Sequence, residues 1–285
     1  MTIAEMLKEG AAFLDERGSP SARLDAEVLL AYVLGVRRVD LYAHPARPLT
    51  AGEEATCRAL LERRARQEPV AYLLGRKEFY GLTLAVGPDV MVPRPETEVL
   101  VERALERARS LGEVGLRVAD IGTGSACITV ALAHHLAGAQ FYAVEVSPEA
   151  GRVAQENLRR HGVQDRVVFL QGDLCEPLPE AVDLLLCNPP YTVWETLPTG
   201  ITAYEPRIAL DGGAAGLDIY RRLLPQVPAC LRAGGFALFE VGDGQAEAVL
   251  ALAREPFAGA RARTYPDYAG VERVAEIGPY EAGQH

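Results

Sequence analysis

The second part of this 285-residue chain alternates apolar strands with helices, and this alternation limits the folds open to it. Strands that are apolar along their whole length are typical of a parallel sheet covered on both faces, and the helices between them supply the crossovers. We therefore predict an α/β fold with a mostly parallel, doubly wound sheet. The predicted strands lie near 116–121, 140–146, 166–170, 182–187, 235–241 and 272–277. The predicted helices lie near 125–137, 148–161, 216–232 and 244–254.

The first part of the chain has a different organisation. From Ile3 to about Gln67 the apolar residues follow helical spacing, with glycines where helices should end. A glycine-rich stretch with β-forming residues follows, which is typical of a hairpin. The predicted domains are a helical domain at 1–71, a hairpin linker at 72–94 and an α/β domain at 95–285.

The amino-acid composition limits the kinds of molecule that the protein can be expected to bind. The net charge is −10, and residues 1–70 hold ten basic against eleven acidic side chains, so nearly all the excess lies in the second part. A negative surface offers a phosphate backbone little attraction, and we expect no direct nucleic-acid partner. Neither a signal peptide nor a membrane-spanning apolar run is visible, so a cytoplasmic protein without membrane contact is expected. The five cysteines are scattered, and we expect them to be reduced and no metal to be bound.

The first predicted strand ends in the glycine-containing segment VADIGTGSACI. Gly122 and Gly124 let the backbone approach a ligand closely, and the following helix offers free N–H groups. A dinucleotide motif would continue with a third Gly or Ala where Cys127 stands. Glu145 ends the second strand, twenty-three residues after Gly122, where a carboxylate can bind both hydroxyls of a ribose.

Two further strand ends carry residues suited to the same ligand. Asp120, directly before the glycines, is a candidate to meet an ammonium group. Asp173 and Leu174 follow the third strand, where they can bind the exocyclic amine of an adenine and cover its face. A ligand with a ribose, an adenine and an amino group, but without a phosphate clamp, indicates S-adenosylmethionine.

The fourth strand ends in Asn-Pro-Pro-Tyr, Asn188 to Tyr191, where the methyl group of that cofactor should lie. The Asn188 side-chain oxygen and the Pro189 carbonyl can each accept an N–H from a planar NH₂ group. These bonds strengthen as the nitrogen gains positive charge, so they favour the transition state. Pro189 and Pro190 fix the loop, and Tyr191 offers a face for stacking. The motif therefore predicts methylation of a planar nitrogen.

Further motifs resemble a known family. Asn-Pro-Pro-Tyr after such a core is shared by DNA adenine-amine methyltransferases and protein glutamine methyltransferases. The remaining motifs resemble the release factor glutamine methyltransferases of the HemK/PrmC type, and the resemblance covers nearly the whole chain. These motifs are GRKEFYGL (75–82), VPRPETE (92–98), YEPRIALDGGAAGLDIYRRLL (204–224), FEVGDGQ (239–245) and DYAGVERV (267–274).

The resemblance implies a class I S-adenosylmethionine-dependent methyltransferase fold. It also implies methylation of the glutamine in the Gly-Gly-Gln motif of bacterial class 1 release factors, with S-adenosylhomocysteine as the product. Ala126 stands where the family usually has glycine, Glu145 where many relatives have aspartate, and Leu174 where an aromatic residue is frequent. The substrate clamp falls on Asn188–Tyr191. The family's cofactor positions fall on Gly122, Thr123, Gly124, Ser125, Ala126, Glu145, Leu174 and Asn188.

Three alternatives stay open. The related ribosomal-protein glutamine methyltransferases usually carry Ser-Pro-Ile-Ala where this chain has Pro95-Glu96-Thr97, which favours a release factor as substrate. A DNA adenine methyltransferase usually carries a target-recognition insert, and no long insert follows Tyr191. A catalytically silent cofactor-binding protein is disfavoured by the intact Asn-Pro-Pro-Tyr. A monomer is expected.

Overall fold

The computed structural model describes residues 1–281, which form two compact units. The first unit comprises Met1–Arg76 and the short segment Pro198–Tyr204. The second comprises Lys77–Leu197 and the described residues from Glu205 onward. Pro198–Tyr204 joins the first unit through contacts that no sequence pattern marks, such as the hydrogen bond of 3.2 Å from the Tyr204 hydroxyl to the Arg66 carbonyl.

The first unit is helical, as its apolar spacing predicts. Thr2 and Thr50 each begin a helix with a reciprocal side-chain cap, and Gly35 and Gly75 end helices in the left-handed conformation. Two short helices, α3 (Arg38–Ala43) and α5 (Val70–Leu74), were not predicted, because six and five residues are too few to show a periodic pattern. The helices are α1 (Ile3–Asp15), α2 (Ala22–Leu34), α3 (Arg38–Ala43), α4 (Ala51–Ala65) and α5 (Val70–Leu74).

Two short strands, β1 (Arg76–Phe79) and β2 (Leu82–Ala85), then form a separate two-stranded sheet. The chain reverses at Tyr80 and Gly81, both of which have positive φ. This confirms that the glycine-rich stretch contains a hairpin.

The second unit follows the predicted alternation. The elements after the hairpin are α6 (Glu98–Leu111), β3 (Arg117–Ile121), α7 (Cys127–His135), β4 (Gln140–Glu145), α8 (Pro148–Arg160), β5 (Val167–Gln171), β6 (Val182–Cys187), α9 (Thr199–Thr202, within the first unit), α10 (Asp218–Leu223), α11 (Val227–Cys230), β7 (Leu231–Glu240), α12 (Ala246–Ala253), β8 (Ala262–Pro266) and β9 (Glu272–Ile277). Short 3-10 turns lie at Pro95–Thr97, Gln164–Arg166, Trp194–Thr196 and Arg207–Ala209.

The strands form one seven-stranded sheet in the order β5-β4-β3-β6-β7-β9-β8. The first five strands in this order are parallel, whereas β9 pairs antiparallel with both β7 and β8. Chain order reverses between β3 and β6, so the topological switch point lies there. Ligands of doubly wound sheets bind outside the carboxyl ends of the strands at this point.

Two sequence predictions need correction. The single helix predicted near 216–232 is wrong: α10 and α11 are separate, because Pro225 and Pro228 lack the N–H groups that a continuous helix needs. Strand β8 was missed because it is a half-exposed edge strand that ends in Pro266 and shows no buried apolar run.

Both faces of the sheet are covered by apolar side chains, as continuous apolar strands require. Along β6, Leu184 and Leu186 pack into the core on one side, while Leu185 and Cys187 pack into the core on the other. Within residues 1–281, no helix is long and apolar enough to cross a membrane.

One buried polar side chain ties the hairpin to the edge of the sheet that carries the glycine segment. Asn157 on α8 is fully buried; its oxygen accepts from the Ala85 N–H at 2.7 Å, and its amide donates to the carbonyls of Ala85 and Ser125, both at 2.9 Å. Three backbone groups, two at the end of β2 and one in the glycine segment, therefore depend on one side chain.

Replacing this side chain should be costly. We expect Asn157→Ala to lower the free energy of unfolding by about 3 kcal/mol, because it removes the hydrogen-bond partner of one buried and two partly buried backbone groups. Denaturant unfolding measures the change. Gln155→Ala is the matched control on the same helix, since among residues 1–281 its amide donates only to the Gly151 carbonyl, and should change stability by less than about 1 kcal/mol. Equal effects of the two substitutions would contradict this role.

Candidate active site

Strand register brings the predicted site segments to one edge of the sheet. Ile121 on β3 pairs with Cys187 on β6, and Cys187 pairs with Phe239 on β7. The glycine segment, Asn188 and Glu240 directly follow these positions. They therefore lie side by side at the same edge of the sheet. The parallel arrangement makes this edge the carboxyl end of every strand concerned.

A cleft of about 370 Å³ opens at this edge. Most predicted site residues line it, whereas Asp120, Ala126 and Tyr191 do not. The predicted residues that do line it are Gly122, Thr123, Gly124, Ser125, Glu145, Asp173, Leu174, Asn188, Pro189 and Pro190. The structure therefore brings together segments that are up to 68 residues apart, counted from Gly122 to Pro190.

Glu145 holds the glycine segment in shape. One of its carboxylate oxygens accepts from the Gly124 N–H and the other from the Ser147 N–H, each at 2.9 Å. Gly122, Gly124 and Ala126 all have positive φ. Ala126 therefore occupies a left-handed conformation that disfavours any side chain, which explains in physical terms why glycine is usual at this position in the family.

Asp120 lies directly behind the glycine segment. It is 1% exposed, and its Oδ2 accepts from the hydroxyls of Thr123 and Thr129, each at 2.7 Å. Its Oδ1 is buried and has no hydrogen-bond partner among the described residues. Burial raises the pKa of Asp120, because the charged form is poorly solvated there. The unpartnered oxygen therefore lies behind the glycine segment and does not form part of the cleft lining.

The Asp173 and Leu174 pair forms another wall of the cleft. Asp173 forms an ion pair with Arg222, a lining residue that sequence reasoning missed. Leu174 has a φ of +50°, unusual for a residue with a branched side chain. Because this conformation is unfavourable for leucine, the surrounding packing must hold it in place.

Asn188 is half-buried at the end of β6. Its amide nitrogen donates to the Thr97 hydroxyl oxygen at 3.2 Å, which leaves its carbonyl oxygen free of any donor among the described residues. No described residue donates to the carbonyl oxygen of Pro189 either. Two hydrogen-bond acceptors on consecutive residues are therefore available at the cleft.

Tyr191 turns away from the cleft, so the stacking face expected of it is not on the cleft wall. Its hydroxyl donates to the carboxylate of Glu240 at 3.1 Å, and the buried Tyr220 hydroxyl donates to the Glu240 backbone carbonyl. Burial raises the pKa of Tyr191, and the Glu240 charge adds to this effect. Tyr191 therefore acts as an anchor for the loop.

The backbone of the Asn-Pro-Pro-Tyr loop is supported by closely approaching glycines. A Cβ atom on Gly212 would lie 2.8 Å from the Pro190 carbonyl oxygen, and one on Gly216 would lie 2.1 Å from the Tyr191 carbonyl oxygen. The Gln245 amide donates to the same Tyr191 carbonyl at 2.9 Å. The loop conformation therefore depends on glycine at both positions.

Sequence reasoning gave no roles to Thr97, Glu240, Gln245, Gly212 and Gly216. Each lies within a motif that carried the family resemblance, in VPRPETE, FEVGDGQ or DGGAAG. The position of these residues within the motifs was therefore the signal from which they could have been found. The contacts themselves need the register of β6 and β7, which no local pattern encodes.

Comparisons with known proteins agree with this architecture. Residues 5–75 match the family model of the PrmC N-terminal domain, and residues 96–203 match that of the methyltransferase small domain. A release factor glutamine methyltransferase from Geobacter sulfurreducens is 47% identical over 255 residues, which cover 88% of each chain. Another from Moorella thermoacetica is 42% identical and covers 96% of this chain and 97% of its own.

Solved structures of proteins with lower sequence identity share the fold. The hMettl16 catalytic domain superposes with a TM-score of 0.57 at 17% identity, covering 76% of this chain and 82% of that chain. A methyltransferase from Pyrococcus furiosus gives a TM-score of 0.51 at 19% identity, covering 76% and 97%. The methyltransferase domain and fold imply S-adenosylmethionine as the methyl donor. The family resemblance inferred from the motifs is confirmed: the chain belongs to the release factor glutamine methyltransferases.

Proposed function

We propose that this protein methylates the side-chain amide nitrogen of the glutamine in the Gly-Gly-Gln motif of class 1 peptide chain release factors. The observation that carries the proposal is the pair of free acceptors, Asn188 Oδ1 and the Pro189 carbonyl, beside the glycine segment in one cleft. The high identity to relatives named release factor glutamine methyltransferase supports the choice of substrate.

The cleft residues fit S-adenosylmethionine, which would supply an electrophilic methyl group and leave as S-adenosylhomocysteine. Glu145 would hold the ribose, since each of its oxygens accepts one N–H from the described part of the chain and keeps acceptor capacity. The contact of Asp120 with an ammonium group stays a prediction, because its unpartnered Oδ1 is buried behind the glycine segment. Asp173 and Leu174 would contact the adenine. The backbone from Gly122 through Thr123, Gly124, Ser125 and Ala126 would pass close to the ligand, with Ala126 facing the protein core.

The acceptors explain how an unreactive amide can be methylated. An amide nitrogen is a weak nucleophile because its lone pair is delocalised. Asn188 Oδ1 and the Pro189 carbonyl would each accept one of its N–H groups and hold the nitrogen in line for transfer. As the nitrogen becomes positive, these bonds become charge-assisted and about twice as strong. Stabilisation is therefore greatest in the transition state. Transfer would form the bond between this nitrogen and the methyl carbon, release S-adenosylhomocysteine and pass the surplus proton of the nitrogen to water.

The first unit would dock the release factor, consistent with a helical domain at 1–71 joined through the 72–94 hairpin to a catalytic domain at 95–285. It contains a shallow cleft at the carboxyl ends of α2 and α5, lined by Tyr32, Val36 and Leu74. Tyr32 and Val36 are 42% and 41% exposed, and the Arg76 guanidinium lies over the Tyr32 ring at 5.7 Å. An apolar surface with basic neighbours suits a protein partner.

We further propose a cytoplasmic monomer that uses no metal and contacts neither nucleic acid nor membrane. The direct experiment is to incubate the enzyme with labelled S-adenosylmethionine and, separately, a class 1 release factor, a large-subunit ribosomal protein and DNA. Mass spectrometry should find one added methyl group on the Gly-Gly-Gln glutamine of the release factor. Label in the ribosomal protein or DNA instead would overturn the proposed substrate.

The first prediction from this proposal concerns the cofactor. Glu145→Ala should weaken S-adenosylmethionine binding by about 1.5–3 kcal/mol, the free energy of hydrogen bonds to a charged group. Calorimetry measures the affinity. Glu149→Ala removes an exposed carboxylate four residues further on and should leave the affinity unchanged. Wild-type affinity in Glu145→Ala would show that this carboxylate does not hold the cofactor.

The second prediction concerns the clamp. Asn188→Ala should lower the single-turnover rate by about 10- to 100-fold, because it removes a bond that strengthens in the transition state. Cofactor affinity should change much less, since Asn188 contributes only one side of the cleft. Rapid-quench methylation of a release factor, with calorimetry as the companion measurement, tests both. A near-normal rate would refute the clamp.

The third prediction concerns docking. Val36→Asp places a charge just beyond the carboxyl end of α2 and should raise KM for intact release factor by about 10-fold, equivalent to about 1.4 kcal/mol of lost contact. The rate on a short Gly-Gly-Gln peptide should not change. Val114→Asp, at an 85% exposed position of the second unit, is the matched control. An unchanged KM for the intact factor would remove this surface from the docking site.

A further inference from the structure

We propose that Glu240 is a positioning residue for catalysis: acting through the Thr97 hydroxyl, its carboxylate fixes the Asn188 amide with the oxygen directed to the substrate. The inference rests on the proposed function, because it assigns a task to the orientation of Asn188. Nothing in the motifs alone indicates this task, since Thr97 and Glu240 are 143 residues apart in sequence.

The contacts form a chain of three polar groups. The Asn188 amide nitrogen donates to the Thr97 oxygen at 3.2 Å. The Thr97 hydroxyl lies beside the Glu240 carboxyl and lowers its pKa, as a hydrogen-bond donor does. Thr97 and Glu240 are each 1% exposed, so water does not compete for these contacts. These three polar groups extend from the interior of the sheet to the wall of the cleft.

The chemistry of these three groups determines which one donates and which one accepts in each contact. A carboxylate can only accept hydrogen bonds, so the single Thr97 proton is directed to Glu240. The Thr97 oxygen can then only accept from Asn188, which must present its NH₂ group to Thr97. Rotation of the Asn188 amide by 180° would place two acceptors face to face and leave buried groups unpaired. The Asn188 oxygen is thereby kept toward the cleft, where the substrate N–H must be accepted.

Glu240 also anchors the far end of the same loop. Its carboxylate accepts from the Tyr191 hydroxyl at 3.1 Å, and Phe239, the preceding residue, pairs with Cys187, which precedes Asn188. Glu240 therefore contacts the loop at Tyr191 directly and at Asn188 through Thr97. The arrangement holds both ends of Asn-Pro-Pro-Tyr relative to the sheet.

The charge of Glu240 changes near neutral pH. Burial raises its pKa to about 7 from 4.5, opposed by Thr97, Tyr191 and Arg273. Below that pH the protonated carboxyl can donate as well as accept, so the Thr97 proton no longer has to point to Glu240. The titratable and charged side chains facing it are Glu96, Cys127, Cys187, Tyr191, Tyr220 and Arg273.

Stability gives an independent readout. A raised carboxyl pKa means that folding is favoured below about pH 4.5 and that this contribution is lost as the pH rises through about 7. Glu240→Gln removes the buried charge, so its melting temperature at pH 8 should be no lower than that of the wild type. A loss of turnover in this variant would then not be a loss of folding.

The experiment measures kcat on a release factor, cofactor affinity and melting temperature for four variants of the full chain. Thr97→Val and Glu240→Gln should each lower kcat by about 10-fold, with cofactor affinity within about 2-fold of wild type. Thr97→Ser restores the hydroxyl and should recover most of the rate. Glu276→Gln is the matched control: it is a buried carboxylate on the adjacent β9 that contacts Tyr265 and Arg107, remote from the cleft, and should keep kcat.

The pH profile is the second readout. Wild-type kcat should fall as the pH is lowered from 8 to 6, and Glu240→Gln should lack this fall. Wild-type kcat in Thr97→Val, no recovery in Thr97→Ser, or equal losses of rate, cofactor affinity and melting temperature would each overturn the inference. If the wild type itself transfers no methyl group to a release factor, the proposed function fails and the inference falls with it. An active wild type with unaffected variants overturns the inference alone.

Discussion

The register of three neighbouring parallel strands is the constraint on which the site depends. Ile121, Cys187 and Phe239 lie at one level across the sheet, so the glycine segment, Asn188 and Glu240 emerge together. A shift of one residue in any pair would turn the strand's side chains to the opposite face and separate these groups. The two apolar cores prevent such a shift, because residues that alternate along β6 are buried on both sides.

The site contains buried polar groups that a core selected only for stability would avoid. Asp120 and Glu240 are each 1% exposed, each keeps one oxygen unpartnered among the described residues, and burial raises the pKa of both. Burying such groups costs free energy unless a ligand or a partner compensates. Their position directly behind the glycine segment and the Asn-Pro-Pro-Tyr loop connects this cost to cofactor binding and to substrate orientation.

Much of the fold was predictable because its signals are local. The apolar runs around Val118 and Leu184 and the glycines after β3 identified the strands and the loop from sequence alone. The break at Pro225 was overlooked because a long apolar pattern outweighed two prolines. The position of Arg222 in the cleft was not predictable, nor were the contacts that link Glu240, Thr97 and Asn188. Both depend on which strands are neighbours and on which way each side chain turns.

The central claim is that Asn188 presents its amide oxygen to the substrate nitrogen while its own nitrogen stays on Thr97. A crystal structure of the enzyme with S-adenosylhomocysteine and a Gly-Gly-Gln peptide tests this most directly. We expect the glutamine nitrogen within about 3.2 Å of both Asn188 Oδ1 and the Pro189 carbonyl oxygen. A glutamine amide held by other groups, or an Asn188 side chain that has left Thr97 to donate its NH₂ to the peptide, would contradict the account.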